Sequence, residues 1–366
     1  MMPRYSSYAS LFSVFIKTCL AQNNSIVSIP YELTYLLPPP FHGNLFHSFV
    51  NGTNTSNAST NELLQSATNA PFISYDDDNF AGEAGVWISD RNEVWYTTWI
   101  NDGPTHVEIL DLNTKTIRNL TSSKPLENPN GDSITEVSYW LGGVVSVEPE
   151  TGHVETVLNS YFSLRFDSID DVAWVTQPGT NNSYMFITVL PFAEGSTTTD
   201  RLPQGLWRWD PQNHILLSAI SRTEFPVANG VRPSRDQKTL WVTDFGGEER
   251  SRIWGLPAQV GVPAIYSYEL NDDMWPVNKR IFGASRMQAP DGIRIDDQGR
   301  VWTGEGEGVM VRSSQGKVVG VFNGQYFTRD PVNTAIVQFE LAGDVLVVLG
   351  QNKLWTVKLA EMVNSA

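Results

Sequence analysis

A polar turn followed by Val-Trp or Leu-Trp recurs along this chain, and no other feature limits its fold as much. The pair stands at Val94-Trp95, Leu240-Trp241, Val301-Trp302 and Leu354-Trp355. Trp241 to Trp302 is 61 residues, Trp302 to Trp355 is 53, and Trp95 to Trp241 is 146, close to three such units. A four-stranded propeller blade takes roughly 40–50 residues, so this period suits blades with loop insertions. Between the repeats run short apolar or alternating stretches such as WISDRNEVWYTTW, GVVSVEPETGHVETVL and LWRWDPQNHILLSAI. Gly, Asn, Asp or Pro breaks each stretch at a tip, which is hairpin patterning with period two. Convincing amphipathic helices are absent. The expectation is an all-β six-bladed β-propeller over residues 71–362, with the tryptophans packed between blades. A β-sandwich would need long insertions to use this length.

The 366 residues carry a formal net charge of -15, from 40 acidic and 25 basic side chains. That field repels nucleic acid and anionic membranes, so neither is expected as a partner. The chain opens Met1-Met2-Pro3-Arg4, continues with an apolar run from Tyr8 to Ile16, and reaches Cys19-Leu20-Ala21 before Gln22. A basic start, a short apolar core and a small-x-small end predict a signal peptide over residues 1–21 and hence a secreted protein. Residues 22–70 read as an Asn, Ser and Thr-rich leader, flexible from His47 to Ala70. Sequons at Asn23, Asn51, Asn54, Asn57, Asn119 and Asn181 make a glycoprotein the expectation. Cys19 is the one cysteine and lies in the predicted leader, so the mature chain has no disulfide, thiolate metal site or cysteine nucleophile. A monomer is expected.

Four segments place acidic or amide residues beside Gly or Pro at strand starts. They are FAGEAGVW around Glu83, FDSIDDVAWV around Asp170, VANGVRPSRD around Asn229 and APDGIRIDDQG around Asp291. In a propeller the innermost strand of every blade starts at the rim of the central channel, so one polar residue per blade converges there. The four positions lie 87, 59 and 62 residues apart, one per blade with one blade skipped. Taken singly, Asn229-Gly230 and Asp291-Gly292 are ordinary hairpin formers. Four at blade spacing point to a shared site. Carboxylate and amide oxygens suit Ca²⁺, with Mg²⁺ and Mn²⁺ as alternatives, and do not suit zinc.

These segments resemble the senescence marker protein, gluconolactonase and luciferin-regenerating enzyme family, especially its fungal lactonase-like members. Glu83-Ala84-Gly85-Val86-Trp87 is similar to the family's E-x-P-V-[WY] motif. Asn229 through Trp241 to Asp244 follows N-G-[LIV]-x-x-S-x-D-x-x-x-L-[YW]-V-[TS]-D, and Pro290 through Asp291 to Trp302 follows P-D-G-[ILMV]-x-[VI]-D-x-x-G-x-[VL]-[WY]. The resemblance implies a six-bladed propeller with Glu83, Asn229 and Asp291 as metal ligands. The chain departs from the pattern in Phe166-Asp167-Ser168-Ile169-Asp170-Asp171-Val172, where the family has F-N-S-P-N-D-V. Asp170 in place of Asn keeps an oxygen ligand and adds a negative charge, which tightens cation binding and can raise a neighbouring carboxyl's pKa. Phe186-Ile187-Thr188-Val189-Leu190-Pro191 replaces the usual F-T-D-P strand, and Gly85 stands where Pro is usual.

The activity so implied is metal-dependent hydrolysis of a small lactone or ester, with the cation polarising the carbonyl. Asp291 or Asp170 would then activate water as general base. Arg165 reads either as a group for a substrate carboxylate or as a salt-bridged surface arginine. No G-x-S-x-G occurs, and His42, His47, His106, His153 and His214 are scattered, so a Ser-His-Asp mechanism is not expected. Gly304-Glu305-Gly306-Glu307-Gly308 lacks the Lys of a phosphate loop and reads as a strand connection under the pore, with the two glutamates alternating in and out. Two further readings stay open: a metal-free propeller enzyme, such as a strictosidine-synthase-like condensing enzyme, cyclase or isomerase, and a metal-stabilised binding module without turnover.

Overall fold

The stretches that alternate in the sequence become strands, and the turn residues between them become hairpin tips. In this computed structural model the described residues are 46–48, 72–74, 81–98, 106–124, 126, 129–130, 135–138, 143–166, 169–190, 202–224, 226–246, 263–327, 336–351 and 353–365. All of these belong to one compact unit, Gly43–Ala366. The predicted signal peptide and the sequons at Asn23, Asn51, Asn54 and Asn57 lie outside the described residues.

Among the described residues, six antiparallel sheets of three to five strands follow one another along the chain. The first is Glu83–Ile88, Glu93–Thr97, Val107–Asp111 and Thr116–Asn119. The second is Pro129–Asn130, Thr135–Ser138, Gly143–Val147 and Val154–Leu158. A two-stranded hairpin, Ser160–Tyr161 with Leu164–Arg165, leads to the third: Ile169–Thr176, Ser183–Val189, Gly205–Asp210 and Ile215–Ser221. The fourth is Ala228–Pro233, Thr239–Asp244, Ala264–Leu270 and Pro276–Ala284. The fifth is Ile293–Ile295, Val301–Glu305, Gly308–Arg312 and Val318–Asn323, to which Phe46–Ser48 adds an outer strand. That strand falls inside the stretch read from sequence as leader, so the folded unit takes in residues ahead of position 71. The sixth sheet joins Gln338–Leu349 and Lys353–Asn364 to Phe72–Ser74, with Phe72 opposite Trp355.

Burial explains why these sheets form a ring. Each has two apolar faces, and six hydrophobic clusters each join one sheet to the next. Ile88, Trp95 and Ile109 of the first pack on Val145, Val147 and Val154 of the second. Val144 of the second meets Val172 and Ile187 of the third, and Val175 and Phe186 of the third meet Val242 and Tyr266 of the fourth. Trp241 and Ile265 of the fourth meet Ile293 and Val301 of the fifth. Trp302 and Phe322 of the fifth meet Phe339 and Val348 of the sixth, and Val347 and Leu349 of the sixth meet Val94 and Tyr96 of the first. The sixth contact returns to the first sheet, and the fold is a six-bladed β-propeller.

The recurring tryptophans lie between blades, as expected: Trp95, Trp241 and Trp302 are buried and Trp355 is half-buried. A carboxylate on the same strand or hairpin anchors two of them. The Trp95 indole N–H donates to Glu93 at 3.1 Å and that of Trp302 to Asp296 at 2.8 Å. Burial opposes the Glu93 charge, but bonds from Arg91, Trp95 and Arg118 outweigh it and hold its pKa below the usual range.

Candidate active site at the channel mouth

The start of each inner strand is where the sequence motifs converge. In the first, third and fourth blades the register slips by one residue at this point: between Glu83 and Val86, Ile169 and Val172, and Ala228 and Val231. Two residues then face one on the neighbouring strand, which is a β-bulge. The bulge pairs are Ala84 and Gly85, Asp170 and Asp171, and Asn229 and Gly230. The fifth blade has the same arrangement. Asp291 N–H donates to the Gly304 carbonyl at 3.0 Å, and Gly304 N–H donates to the Gly292 carbonyl at 3.0 Å. Asp170, Asn229 and Asp291 therefore hold equivalent places in three blades, and Glu83 stands one place earlier in its own. A bulge lifts a side chain out of the regular alternation of a strand, which is why such turns gather at functional sites.

Glu83, Asn229 and Asp291 are 8%, 5% and 6% exposed, whereas Asp170 is only half-buried. Crowding explains the glycine that follows Asn229 and Asp291. A Cβ on Gly230 would stand 2.7 Å from the Asp291 carbonyl oxygen, and one on Gly292 would stand 2.0 Å from Gln338 Oε1. In the third blade this second place is filled by Asp171, which turns inward and crosses to the fourth blade. One Asp171 oxygen accepts the Val231 N–H at 2.6 Å and Arg232 Nη1 at 2.8 Å; the other accepts its neighbour Val172 N–H at 2.8 Å.

Two more crossings complete a chain of bonds through the four motifs. Thr243 Oγ1 accepts the Gly230 N–H at 2.7 Å and donates to the Asp291 carbonyl at 2.8 Å, joining the fourth blade to the fifth. Arg294, three residues beyond Asp291, donates from Nε to Glu340 at 2.9 Å in the sixth blade and from Nη2 to the Gly85 carbonyl in the first. Arg232 and Arg294 are both buried and each meets a buried carboxylate, Asp171 and Glu340. Pairing of that kind is what makes a buried charge tolerable. Sequence reading missed both arginines and Asp171. A signal was there: Asn229-Gly230-Val231-Arg232 and Asp291-Gly292-Ile293-Arg294 are the same [ND]-G-[VI]-R tetrad.

A further carboxyl lies beside this ring. Asp244, the last residue of its strand, is opposite Ala228 and fully buried. Its Oδ1 accepts the Val227 and Gly246 N–H groups at 3.1 and 3.0 Å, while Oδ2 has no hydrogen-bond partner among the described residues. Burial pushes its pKa up to about 6, against those two amides and the charge of Lys279.

The glycine-rich stretch differs from expectation in place and orientation. Gly306 and Glu307 form the tip of the hairpin whose first strand carries Gly304 beside Asp291, so the turn lies at the channel mouth and not under the pore. Both glutamates are buried because each meets an arginine: Glu305 accepts Arg312 Nη1 at 2.6 Å, and Glu307 pairs with Arg286. Burial raises the Glu307 pKa, with Arg286 acting against it. His153 and His214 are exposed at turns, as expected. The side chain of Arg165 lies outside the described residues. Among the described residues, no three or more His, Cys, Asp or Glu side chains gather as metal ligands; Glu83 and Asp291 supply two of those types and Asn229 an amide oxygen.

The fold has counterparts among solved proteins. The structure aligns with a gluconolactonase from Xanthomonas campestris at a TM-score of 0.60, 18% identity, 80% of this chain and 91% of that one. The fold is that of the gluconolactonases. It also aligns with regucalcin, a calcium-binding protein from Agrobacterium tumefaciens, at a TM-score of 0.53 and 12% identity, over 81% of this chain and 96% of that one. By sequence the chain is 22% identical over 311 residues to the lactonohydrolase oryH of Aspergillus oryzae. That alignment takes in 64% of this chain and 66% of the relative, so the chain spans just under two thirds of the curated protein's length. No family model matches the chain. These likenesses support the resemblance to gluconolactonase-like proteins drawn from the motifs.

Proposed function

We propose that this propeller is a lactone hydrolase whose channel mouth holds one divalent cation, Ca²⁺ ahead of Mg²⁺ or Mn²⁺, through Glu83, Asn229 and Asp291. The observation that carries the reading is the repeated bulge, which puts Asn229 and Asp291 at the same place in adjacent blades with Glu83 one step away. The donor set is chemically apt: two carboxylates and one amide are hard oxygen ligands, each buried and each carried on its own blade. A bound cation would act there as a Lewis acid toward the carbonyl of a lactone or ester. Similarity to lactonohydrolases and gluconolactonases supplies the substrate class.

The residues divide the remaining work by their surroundings. Asp291 keeps its backbone fixed on both sides, through its own N–H to Gly304 and its carbonyl to Thr243. Its carboxylate is the acceptor in this reading for a proton from the attacking water. Asp170, more open to solvent, is the alternative acceptor and can pass that proton out. Buried Arg232 and Arg294 lie further down the inner strands, where each is paired with its own buried carboxylate, Asp171 and Glu340. Secretion and glycosylation are part of the same proposal, and both Asn119 and Asn181 are exposed.

The test measures hydrolysis of aldono-, aromatic and fatty lactones with and without EDTA, in wild type and Asp291→Ala. Turnover that EDTA and the substitution each remove supports the reading. If no lactone or ester turns over while calcium still raises the melting temperature, the hydrolase reading fails and a binding role replaces it.

A further inference from the structure

Thr243 is fully buried between the fourth and fifth blades. Its hydroxyl has one proton to give. The Asp291 carbonyl receives it at 2.8 Å, the Gly230 carbonyl being more distant at 3.4 Å, and the lone pairs face the Gly230 N–H at 2.7 Å. One hydroxyl thus ties the backbone next to Asn229 to the backbone of Asp291. The approach is tight, since any Cβ on Gly230 would stand 2.7 Å from the Asp291 oxygen and 3.0 Å from both the Thr243 hydroxyl and an Ile293 methyl.

The third blade holds a useful contrast. Thr188 takes the equivalent place across its bulge, accepting the Asp171 N–H at 2.9 Å and donating back to the Asp171 carbonyl at 3.3 Å. Its bonds stay within one blade, because there the Asp171 carboxylate makes the crossing. A hydroxyl at this place therefore closes a bulge in both blades, yet only Thr243 also sets the distance to the next blade.

We propose that Thr243 is a positioning residue that fixes Asn229 relative to Asp291 and so sets the cation affinity of the channel mouth; this rests on the reading of the mouth as a cation site. Outer partners that orient ligands change metal affinity by roughly 10-fold to 100-fold when removed. Thr243→Val keeps the shape and deletes both bonds, leaving the Gly230 N–H and the Asp291 carbonyl without this partner. Thr243→Ser keeps the hydroxyl.

The experiment is calcium titration by calorimetry on the full chain after EDTA treatment and dialysis, with melting temperatures recorded in EDTA and in calcium. The expected result is a dissociation constant at least 10-fold higher for Thr243→Val, near wild type for Thr243→Ser, and a smaller calcium-induced rise in melting temperature for the valine variant. A role confined to holding the bulge would lower the melting temperature in EDTA and leave the dissociation constant unchanged. That outcome overturns the proposal alone. A wild type that binds neither calcium, magnesium nor manganese overturns the cation reading and the proposal with it. If the valine variant does not fold, Thr243→Cys, with a weak donor and acceptor at the same place, carries the same comparison.

Discussion

Replacing Asp244 with asparagine isolates one buried carboxyl and asks what its burial does to the fold. The carboxyl has a reference pKa of 3.8 and is pushed up to about 6 in the folded protein. Below about pH 4 it is protonated in both folded and unfolded chains and takes nothing from stability. As pH rises from there through about 6, the unfolded chain gives up the proton freely while the folded chain resists. Stability is lost across that window, by about 3 kcal/mol in total, and the loss is complete above it. Asparagine keeps the Oδ1 that accepts the Val227 and Gly246 amides and has no charge at any pH. The variant should therefore gain on wild type between pH 4 and about 6.5 and hold a constant margin above. For a propeller of this size the gain corresponds to about 5 °C in melting temperature. Thermal unfolding followed by circular dichroism in EDTA, across pH 4 to about 8, reads the difference. A margin that stays flat over the whole range refutes the argument, because a carboxyl that ionises alike in both states cannot generate the slope.

Arg294→Met should destabilise by about 3–5 kcal/mol in urea, since Glu340 is left as a buried charge without this guanidinium, and Arg294→Met with Glu340→Leu should recover most of that loss. Gly230→Ala forces a methyl against the Asp291 carbonyl, so about 1–3 kcal/mol of stability should go, together with calcium-induced stabilisation measured by thermal shift. Trp302→Ala should cost about 3–5 kcal/mol and the half-buried Trp355→Ala clearly less, both read from denaturant midpoints.

The blade repeat was legible because a buried tryptophan between blades is large, rare and regularly spaced, and Trp95, Trp241 and Trp302 are buried where that reading puts them. The strand starts at Asn229 and Asp291 were legible too, since a polar residue before glycine marks such a turn. Which of two adjacent acids turns inward was not. Asp170 and Asp171 differ in nothing the sequence records, yet Asp171 is 4% exposed and bonds across to the fourth blade, while Asp170 is half-open. Glu305 and Glu307 misled for a related reason. Period-two alternation holds along a strand and ends at a two-residue tip, and there arginines brought from Arg286 and Arg312 decide burial. The strand Phe46–Ser48 was invisible because three residues carry no period.

The sixth sheet pairs Phe72 with Trp355, residues far apart along the chain. Bringing two such distant points together costs about 5 kcal/mol of chain entropy by the logarithmic law for loop closure. No earlier pairing within this sheet repays that term for Phe72–Ser74. During synthesis five blades can in principle gain their local hairpins in order, while the strand at 72–74 waits with its hydrogen-bonding edge bare until residues 353–355 arrive. Such an edge pairs readily with other chains. A slow final closure phase, and a tendency to associate before it, should therefore mark refolding of this protein. The association should grow with chain concentration, whereas the closure phase, being a first-order step within one chain, should not.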